Sequence, residues 1–178
     1  MPEGERAPLG RGRRFGTTEF GADVEEELHH LLKGLLSCPH RLRSLVVFGS
    51  RARGDWKPWS DTDVVIIVEA KSIAKWAPLH GLGLPRDAVE VAERSCVEAR
   101  VFTPERFREL LRSFNLTALD ALEEGVVLFD DGFWREVKAE FERMKASGWV
   151  EKIPIGWRIR RGSAPLHGKP PPDAHKAH

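Results

Sequence analysis

The stretch VVFGSRARGDWKPWSDTDVVIIVE, residues 46–69, consists of two apolar runs that flank a polar loop. The second run begins with two carboxylates, Asp61 and Asp63, which are separated by one residue. Because side chains alternate along a strand, these carboxylates are predicted to share one face, with Cα atoms roughly 6.6 Å apart. Like charges at this distance repel unless a cation lies between them, and such oxygen clusters suit Mg²⁺. For an isolated Asp-x-Asp, a strand cap at Asp61 with Asp63 facing water would be the favoured explanation, so the preceding loop matters.

The beginning of the loop has the features of an anion site. Gly49 allows the backbone to approach a ligand closely, and a helix starting at Ser50 would direct free N–H groups toward an anion. Ser50 adds a hydroxyl donor, while Arg51 and Arg53 add positive charge. Phosphate oxygens and a carboxylate-bound metal would then meet in one place. Two structural alternatives stay open, namely a plain turn at Gly49 and an ion pair between Arg53 and Asp55.

In combination these features resemble a known family. A hydrophobic residue, Gly-Ser, a polar loop and Asp-x-Asp before an apolar run are similar to the nucleotidyltransferase superfamily typified by DNA polymerase beta, especially its minimal nucleotidyltransferases. The resemblance is close across residues 46–69 and weaker across residues 24–145. It implies an α/β (α+β) nucleotidyltransferase fold, in which a small mixed β-sheet is flanked by helices.

The resemblance also implies a third carboxylate on a neighbouring strand. The segment VEARVFTPERF matches the register of the family and places Glu98 at this position, where the family typically has Asp. Glu is one methylene longer, but it can still bind metal or accept a proton. The alternative is a surface ion pair between Glu98 and Arg100, and Glu90 is a weaker candidate for the third carboxylate.

The implied function is the metal-dependent transfer of a nucleoside monophosphate to a hydroxyl group of a protein or small-molecule acceptor. The default donor is ATP, which would make the transferred group AMP, and the implied cofactor is Mg²⁺ or Mn²⁺. The catalytic and metal-binding residues would be Asp61, Asp63 and Glu98. The nucleotide-binding residues would be Gly49, Ser50, Arg51 and Arg53.

Two other functions stay open. One is a binding module, such as the antitoxin-like partner of a small helical toxin protein. The other is a degenerate fold that binds nucleotide without transferring it. The presence of all three motif carboxylates favours an active enzyme over a degenerate one.

Periodicity predicts a mixed order of helices and strands around the motif. A helix is expected to begin after the N-cap Asp23, and Pro39 is expected to stop it. The predicted strands are 44–48, 62–69, 96–102 and 126–129. Further helices are predicted after Thr103, over residues 116–124, and from Phe133 to near Gly148, whereas residues 70–87 have no clear pattern.

Composition divides the chain into four parts. Residues 1–16 are predicted to be a flexible tail, 17–148 the nucleotidyltransferase domain, 149–162 an arm or hairpin, and 163–178 a disordered tail rich in Pro and His. The Trp and Arg residues of the arm could bind single-stranded nucleic acid, but a packed hairpin with a solvated basic edge is the favoured interpretation.

The overall composition limits the possible partners and compartments. The formal net charge of +1 makes nucleic acid an improbable partner, and a membrane is not expected because long apolar runs and a signal peptide are absent. Cys38 and Cys96 lack metal-ligand spacing and are expected to be buried free thiols. These features predict a cytoplasmic protein.

Overall fold

The strand that begins with the two-carboxylate motif lies inside a mixed sheet in the computed structural model, which describes residues 14–71, 73 and 79–160. The helices are α1 (Val24–Ser37), α2 (Gly49–Arg53), α3 (Arg86–Arg94), α4 (Pro104–Arg112), α5 (Leu116–Glu124) and α6 (Phe133–Ala146), with a short 3₁₀ helix at His80–Leu82. The strands are β1 (Arg41–Val47), β2 (Thr62–Glu69), β3 (Val97–Phe102), β4 (Val126–Asp130), β5 (Val150–Ile153) and β6 (Gly156–Ile159).

The main sheet has the strand order β3-β2-β1-β4. Strand β1 runs antiparallel to both β2 and β4, whereas β2 and β3 are parallel. The crossover between these parallel strands contains α3. The predicted fold class is confirmed, because a four-stranded mixed sheet is flanked by helices.

The apolar run of β2 is buried on both faces of the sheet. Val64, Ile66 and Val68 belong to the core that contains α1 and α3, while Val65 and Ile67 belong to the core that contains α4, α5 and α6. All five side chains are 0% exposed. Helices on both faces therefore explain why the sequence of β2 is continuously apolar rather than alternating.

Most predicted elements are present. The Asp23 side chain caps α1 by accepting a hydrogen bond of 2.9 Å from the Glu25 backbone N–H. Strand β2 and helix α5 have the predicted bounds, and Thr103 caps α4 as expected. Helix α3 was not predicted, since its first two residues fall in the unclear region 70–87 and its remaining residues lie between that region and the predicted strand 96–102. Its buried residues are the small side chains Ala88, Val89, Val91 and Ala92, which give a weak apolar signal.

The two ends of the described chain are packed against the domain. Phe15 is 0% exposed, so the predicted flexible tail of residues 1–16 includes a core residue. The predicted hairpin is formed by β5 and β6, and Trp157 anchors it through a 2.8 Å hydrogen bond from Nε1 to Asp120. The rest of the first tail, residues 1–13, and the predicted tail at 163–178 lie outside the described residues.

Two further expectations concern the burial of the cysteine thiols and membrane-spanning helices. Cys38 and Cys96 are both free, but Cys96 is exposed, so the expectation that both thiols are buried is wrong. The cause is local, because Cys96 lies in the turn between α3 and β3 with a positive φ of 50°. In the described part of the chain, no helix is long and apolar enough to cross a membrane.

The packing of α1 against α3 depends on Gly34. A Cβ atom at this position would lie 2.4 Å from the Cβ of Ala88. Gly34→Ala is therefore expected to lower the free energy of unfolding by about 1–3 kcal/mol, although Ala is the better helix former. Urea denaturation measures this change. Ala88→Gly should partly reverse it in the double variant, and strictly additive effects would contradict the close contact.

Candidate active site

The two strands β2 and β3 bring the candidate carboxylates together. Asp63 on β2 is the in-register neighbour of Glu98 on β3, so both side chains lie on the same face of the sheet. Asp61 is exposed and directly precedes β2. Thr62 points the other way, because its buried hydroxyl donates to the Ser95 carbonyl at 3.2 Å. The alternation predicted for Asp61 and Asp63 is therefore consistent with the fold.

An arginine bridges the two in-register carboxylates. The Nη2 atom of Arg100 lies 2.9 Å from Oε1 of Glu98 and 3.6 Å from Oδ1 of Asp63. The ion pair that the sequence offered as an alternative role for Glu98 is therefore formed. Among the described residues, no group of three or more His, Cys, Asp or Glu side chains is arranged to hold a metal ion. The predicted convergence of three carboxylates on one ion is not assembled with Arg100 in this position.

The Gly-Ser turn is in direct contact with the carboxylates. Gly49 begins the single-turn helix α2 with a φ of +73°, and a Cβ atom there would lie 2.5 Å from Oδ2 of Asp63. The backbone N–H of Phe48 also donates to the Asp63 carbonyl at 3.0 Å. The turn therefore requires glycine because the Asp63 carboxylate occupies the space of a side chain, even before any phosphate is considered.

A carboxylate from α5 holds the other side of the turn. The Oε1 atom of Glu124 accepts hydrogen bonds from the Gly49 N–H at 3.1 Å and from Nη1 of Arg53 at 2.7 Å. Arg53 also pairs with Asp55 at 3.3 Å, which is the structural alternative foreseen for it. The Ser50 hydroxyl takes part in none of the hydrogen bonds found among the described residues. It is therefore free to donate to a ligand.

Arg51 does not line the site, in contrast to the prediction. Its side chain is only 1% exposed, and its guanidinium donates to the carbonyls of Phe15 at 2.8 Å and Ser60 at 2.7 Å. The guanidinium also lies 5.6 Å from the centre of the Trp56 ring. The physical reason is that buried backbone carbonyls need donors, and Arg51 supplies them. It joins the N-terminal segment to the end of the loop.

The sequence of the chain matches the family model described as "Nucleotidyltransferase domain" over residues 32–154. The chain belongs to the nucleotidyltransferase family. This match spans the Gly-Ser turn, strands β2 and β3, and helices α2 to α6, and it includes the C-terminal part of α1. The prediction of family and enzyme class is confirmed. We found no significant match among curated protein sequences.

Two solved structures are similar to the nucleotidyltransferase in fold. One is described as a toxin-antitoxin with AMP-PNP, with 15% identity and a TM-score of 0.45 over 66% of this chain and 86% of that chain. The other is a mutant of the toxin-antitoxin MntA-HpeT, with 17% identity and a TM-score of 0.44 over 68% of this chain and 85% of that chain. Likeness at this level carries no information about the function of this chain.

The charge balance at Asp63 is unfavourable for its ionised form. Burial raises the pKa of Asp63 above its ordinary value of 3.8, and the Glu98 carboxylate raises it further. The guanidinium of Arg100 opposes both effects without cancelling them. The nucleotidyltransferase thus holds a partly buried carboxylate beside other negative charges, an arrangement that a bound cation would relieve.

The donors present fit a divalent cation in their chemistry. Asp61, Asp63 and Glu98 supply hard carboxylate oxygens, which Mg²⁺ and Mn²⁺ prefer. The pKa of Asp63 is raised mainly by burial and further by the neighbouring Glu98 carboxylate, and a bound cation would oppose both effects. Asp61 and Asp63 would hold the ion, and Glu98 is within reach of the same face once its pairing with Arg100 is broken.

Two functional contacts were not recognised in the sequence. Glu124 holds the turn from another helix, and no motif in its neighbourhood indicates this role. The sequence predicts Arg100 only as a partner of Glu98, although Arg100 also reaches Asp63. Arg100 lies two residues after Glu98, so the side chains of Arg100 and Glu98 share one strand face. This spacing was the sequence signal that Arg100 faces the carboxylates. The weaker candidate Glu90 lies on α3 and pairs with Arg86 at 2.8 Å.

The structural role of Arg51 predicts a stability effect rather than a binding effect. Arg51→Met leaves buried carbonyls without donors, so the free energy of unfolding should fall by about 2–4 kcal/mol. Urea denaturation measures the change. Arg86→Met is the matched control, because Arg86 is 92% exposed and its ion pair should contribute about 0–1 kcal/mol. A stable Arg51→Met protein that no longer binds ATP would restore the phosphate-binding role.

The raised pKa of Asp63 predicts a pH-dependent gain in stability for Asp63→Asn. Asp63 binds its proton more tightly in the folded than in the unfolded chain, so its ionisation destabilises the fold as the pH rises above 3.8. The neutral variant avoids this cost. In EDTA, its melting temperature should exceed that of wild type near pH 7 and approach it near pH 4.

The control for this measurement is Asp55→Asn, in which an aspartate that is 63% exposed is neutralised in the same loop. It should show no comparable gain at the higher pH. A destabilised Asp63→Asn protein near pH 7 would mean that pairing with Arg100 outweighs burial and repulsion at Asp63.

Proposed function

We propose that the protein transfers a nucleoside monophosphate, with ATP as the donor and AMP as the transferred group, to a hydroxyl of a protein or small-molecule acceptor. The observation that carries the proposal is the close contact between the Gly-Ser turn and the carboxylate of Asp63. A Cβ atom on Gly49 would lie only 2.5 Å from Oδ2 of Asp63. A triphosphate on the turn would therefore lie beside the carboxylates. A reaction at phosphorus needs both groups at one point.

The turn and its neighbours would hold the triphosphate. The Ser50 hydroxyl donates to a phosphate oxygen at the N-terminal end of α2. Arg53 is 45% exposed and lies at the end of α2, where its guanidinium can neutralise phosphate charge while Glu124 orients it. Arg51 has no part in this set, because its guanidinium is used in the interior.

The acidic residues would act on the reacting atoms. When bound at Asp61 and Asp63, Mg²⁺ or Mn²⁺ supplies the positive charge that stabilises the attacking and leaving oxygens. Glu98 accepts the proton of the acceptor hydroxyl while the oxygen of that hydroxyl forms a bond to the α-phosphorus. The bond from the α-phosphorus to the bridging oxygen breaks, and pyrophosphate leaves. Glu98 is 53% exposed, so an acceptor can reach it from solvent.

The proposed reaction needs a compartment that contains its reactants. We place it in the cytoplasm, where ATP and Mg²⁺ are abundant. The exposed and unpaired Cys96 supports a reducing compartment, because such thiols oxidise readily elsewhere.

The transfer reaction is tested with ATP labelled at either the α- or the γ-phosphate. Wild-type protein, Mg²⁺ and a cell lysate should give an acceptor labelled by α-phosphate and not by γ-phosphate. Asp63→Asn should reduce labelling by roughly a hundredfold or more, because charge stabilisation at the transferred group is lost. Asp55→Asn is the control for the loop and should keep most of the activity.

The same assay separates the enzyme from a binding module. Transfer to a protein band indicates a protein acceptor, whereas transfer to a small molecule appears on thin-layer chromatography. ATP binding by calorimetry without any labelled product would contradict the proposal and favour a degenerate module. Labelling that survives Asp63→Asn undiminished would remove these carboxylates from the reaction.

A further inference from the structure

We propose that Arg100 is a built-in counter-cation of the Asp63–Glu98 pair, which a divalent ion must displace, so that Arg100 sets the metal affinity of the site. This inference rests on the metal-binding role given to Asp63 in the proposed function, and Glu98, the proton acceptor there, is the second partner of Arg100. Arg100 acts here as a positioning residue, because it acts through the carboxylates rather than on the reacting atoms.

The position of Arg100 is the first support. Its Nη2 atom lies 2.9 Å from Glu98 and 3.6 Å from Asp63, so one cationic nitrogen serves two carboxylates on adjacent strands. The guanidinium carbon also lies 5.9 Å from the centre of the Phe48 ring, directly before the Gly-Ser turn. A single side chain therefore contacts the strand, its neighbour and the turn. A cation at this point lies where a metal ion between the carboxylates would have to lie.

The hydrogen bonding of Arg100 is incomplete, which is the second support. Its Nε atom is buried and has no hydrogen-bond partner among the described residues. A buried donor without a partner costs free energy, so this arrangement is not fully satisfied for the arginine. The site therefore holds Arg100 through its charge, and an ion of higher charge density at the carboxylates can compete with it.

A cavity beside the site gives the displaced side chain a place to go. It has a volume of about 510 Å³ and is lined by Arg100 itself together with Thr103 and Asn115. The hydroxyl and amide oxygens of these two residues already accept helix-capping hydrogen bonds from the backbone N–H groups of Arg106 and Ala118, and each has a second lone pair that can accept from a guanidinium. Arg106 also lines the cavity, but its charge is paired with Glu109 at 2.9 Å. Arg100 can thus exchange its carboxylate partners for neutral acceptors on the same strand edge.

The two cations exclude each other on electrostatic grounds. A guanidinium nitrogen at hydrogen-bond distance from Glu98 leaves a metal ion at the same carboxylate close to a like charge. Metal binding therefore includes the cost of removing Arg100, and the removal of Arg100 by mutation should make binding tighter. Without metal, the same mutation leaves the carboxylates without a cation.

The inference is tested with Mn²⁺ as the probe, titrated into the full chain and followed by the electron paramagnetic resonance signal of free Mn²⁺. Binding at the site is defined as the Mn²⁺ binding that wild type shows and Asp63→Asn does not show. Arg100→Met should bind Mn²⁺ roughly fivefold more tightly than wild type, given the strength of partly exposed ion pairs. Arg100→Lys, which keeps the charge, should stay nearer to wild type than Arg100→Met does.

Arg106→Met is the matched control, because Arg106 lines the same cavity but pairs only with Glu109 among the described contacts. Its Mn²⁺ affinity should equal that of wild type. Melting temperatures provide a second readout: without metal Arg100→Met should melt below wild type, and Mn²⁺ should raise its melting temperature by more than that of wild type. Arg100→Gln replaces Arg100→Met if circular dichroism shows that the latter is unfolded.

The outcomes separate this inference from the proposed function. Mn²⁺ binding that depends on Asp63 but is equal or weaker in Arg100→Met would overturn the role of Arg100 alone. Mn²⁺ binding that Asp63→Asn leaves unchanged would refute the metal site, and the inference with it.

Discussion

The close approach of the Gly-Ser turn to the Asp63 carboxylate is the contact on which the site depends. Gly49 lacks the Cβ atom that would meet Oδ2 of Asp63 at 2.5 Å, and the Phe48 N–H holds the Asp63 carbonyl at 3.0 Å. The polar loop of residues 50–61 must therefore leave and return at the same place. A side chain at residue 49 would separate the Gly-Ser turn from the carboxylates, and the proposed function needs both.

Each half of the site contains an ion pair with a side chain of the same chain. Glu124 accepts from the Gly49 N–H and from Arg53 on the turn, while Arg100 donates to Glu98 and lies near Asp63 on the strands. Under the proposed function, a triphosphate would therefore compete for Arg53, and a metal ion would compete with Arg100.

The interior around the loop is organised by an unusual choice of donor. Arg51 is buried and donates to the carbonyls of Phe15 in the N-terminal segment and Ser60 at the end of the loop. Burial lowers the pKa of Arg51 from its ordinary value, but the charged form still has oxygen partners. Because Ser60 directly precedes Asp61, the arginine fixes the position at which the loop returns to the sheet. Arg51, which the sequence predicts as a phosphate-binding residue, thus holds the backbone segments that surround the site.

The sequence alone determined the family, the central strand β2 and the pairing of a Gly-Ser turn with two carboxylates, because these features are local and periodic. It also placed Glu98 in the register that β3 adopts. Only the tertiary structure decided which charged side chains are buried and which partners they pair with. Arg51 and Arg53 look alike in sequence, yet one is 1% exposed and the other is 45% exposed at the surface. Burial and ion pairing depend on which distant backbone and side-chain atoms surround a group, and a local pattern does not contain that information.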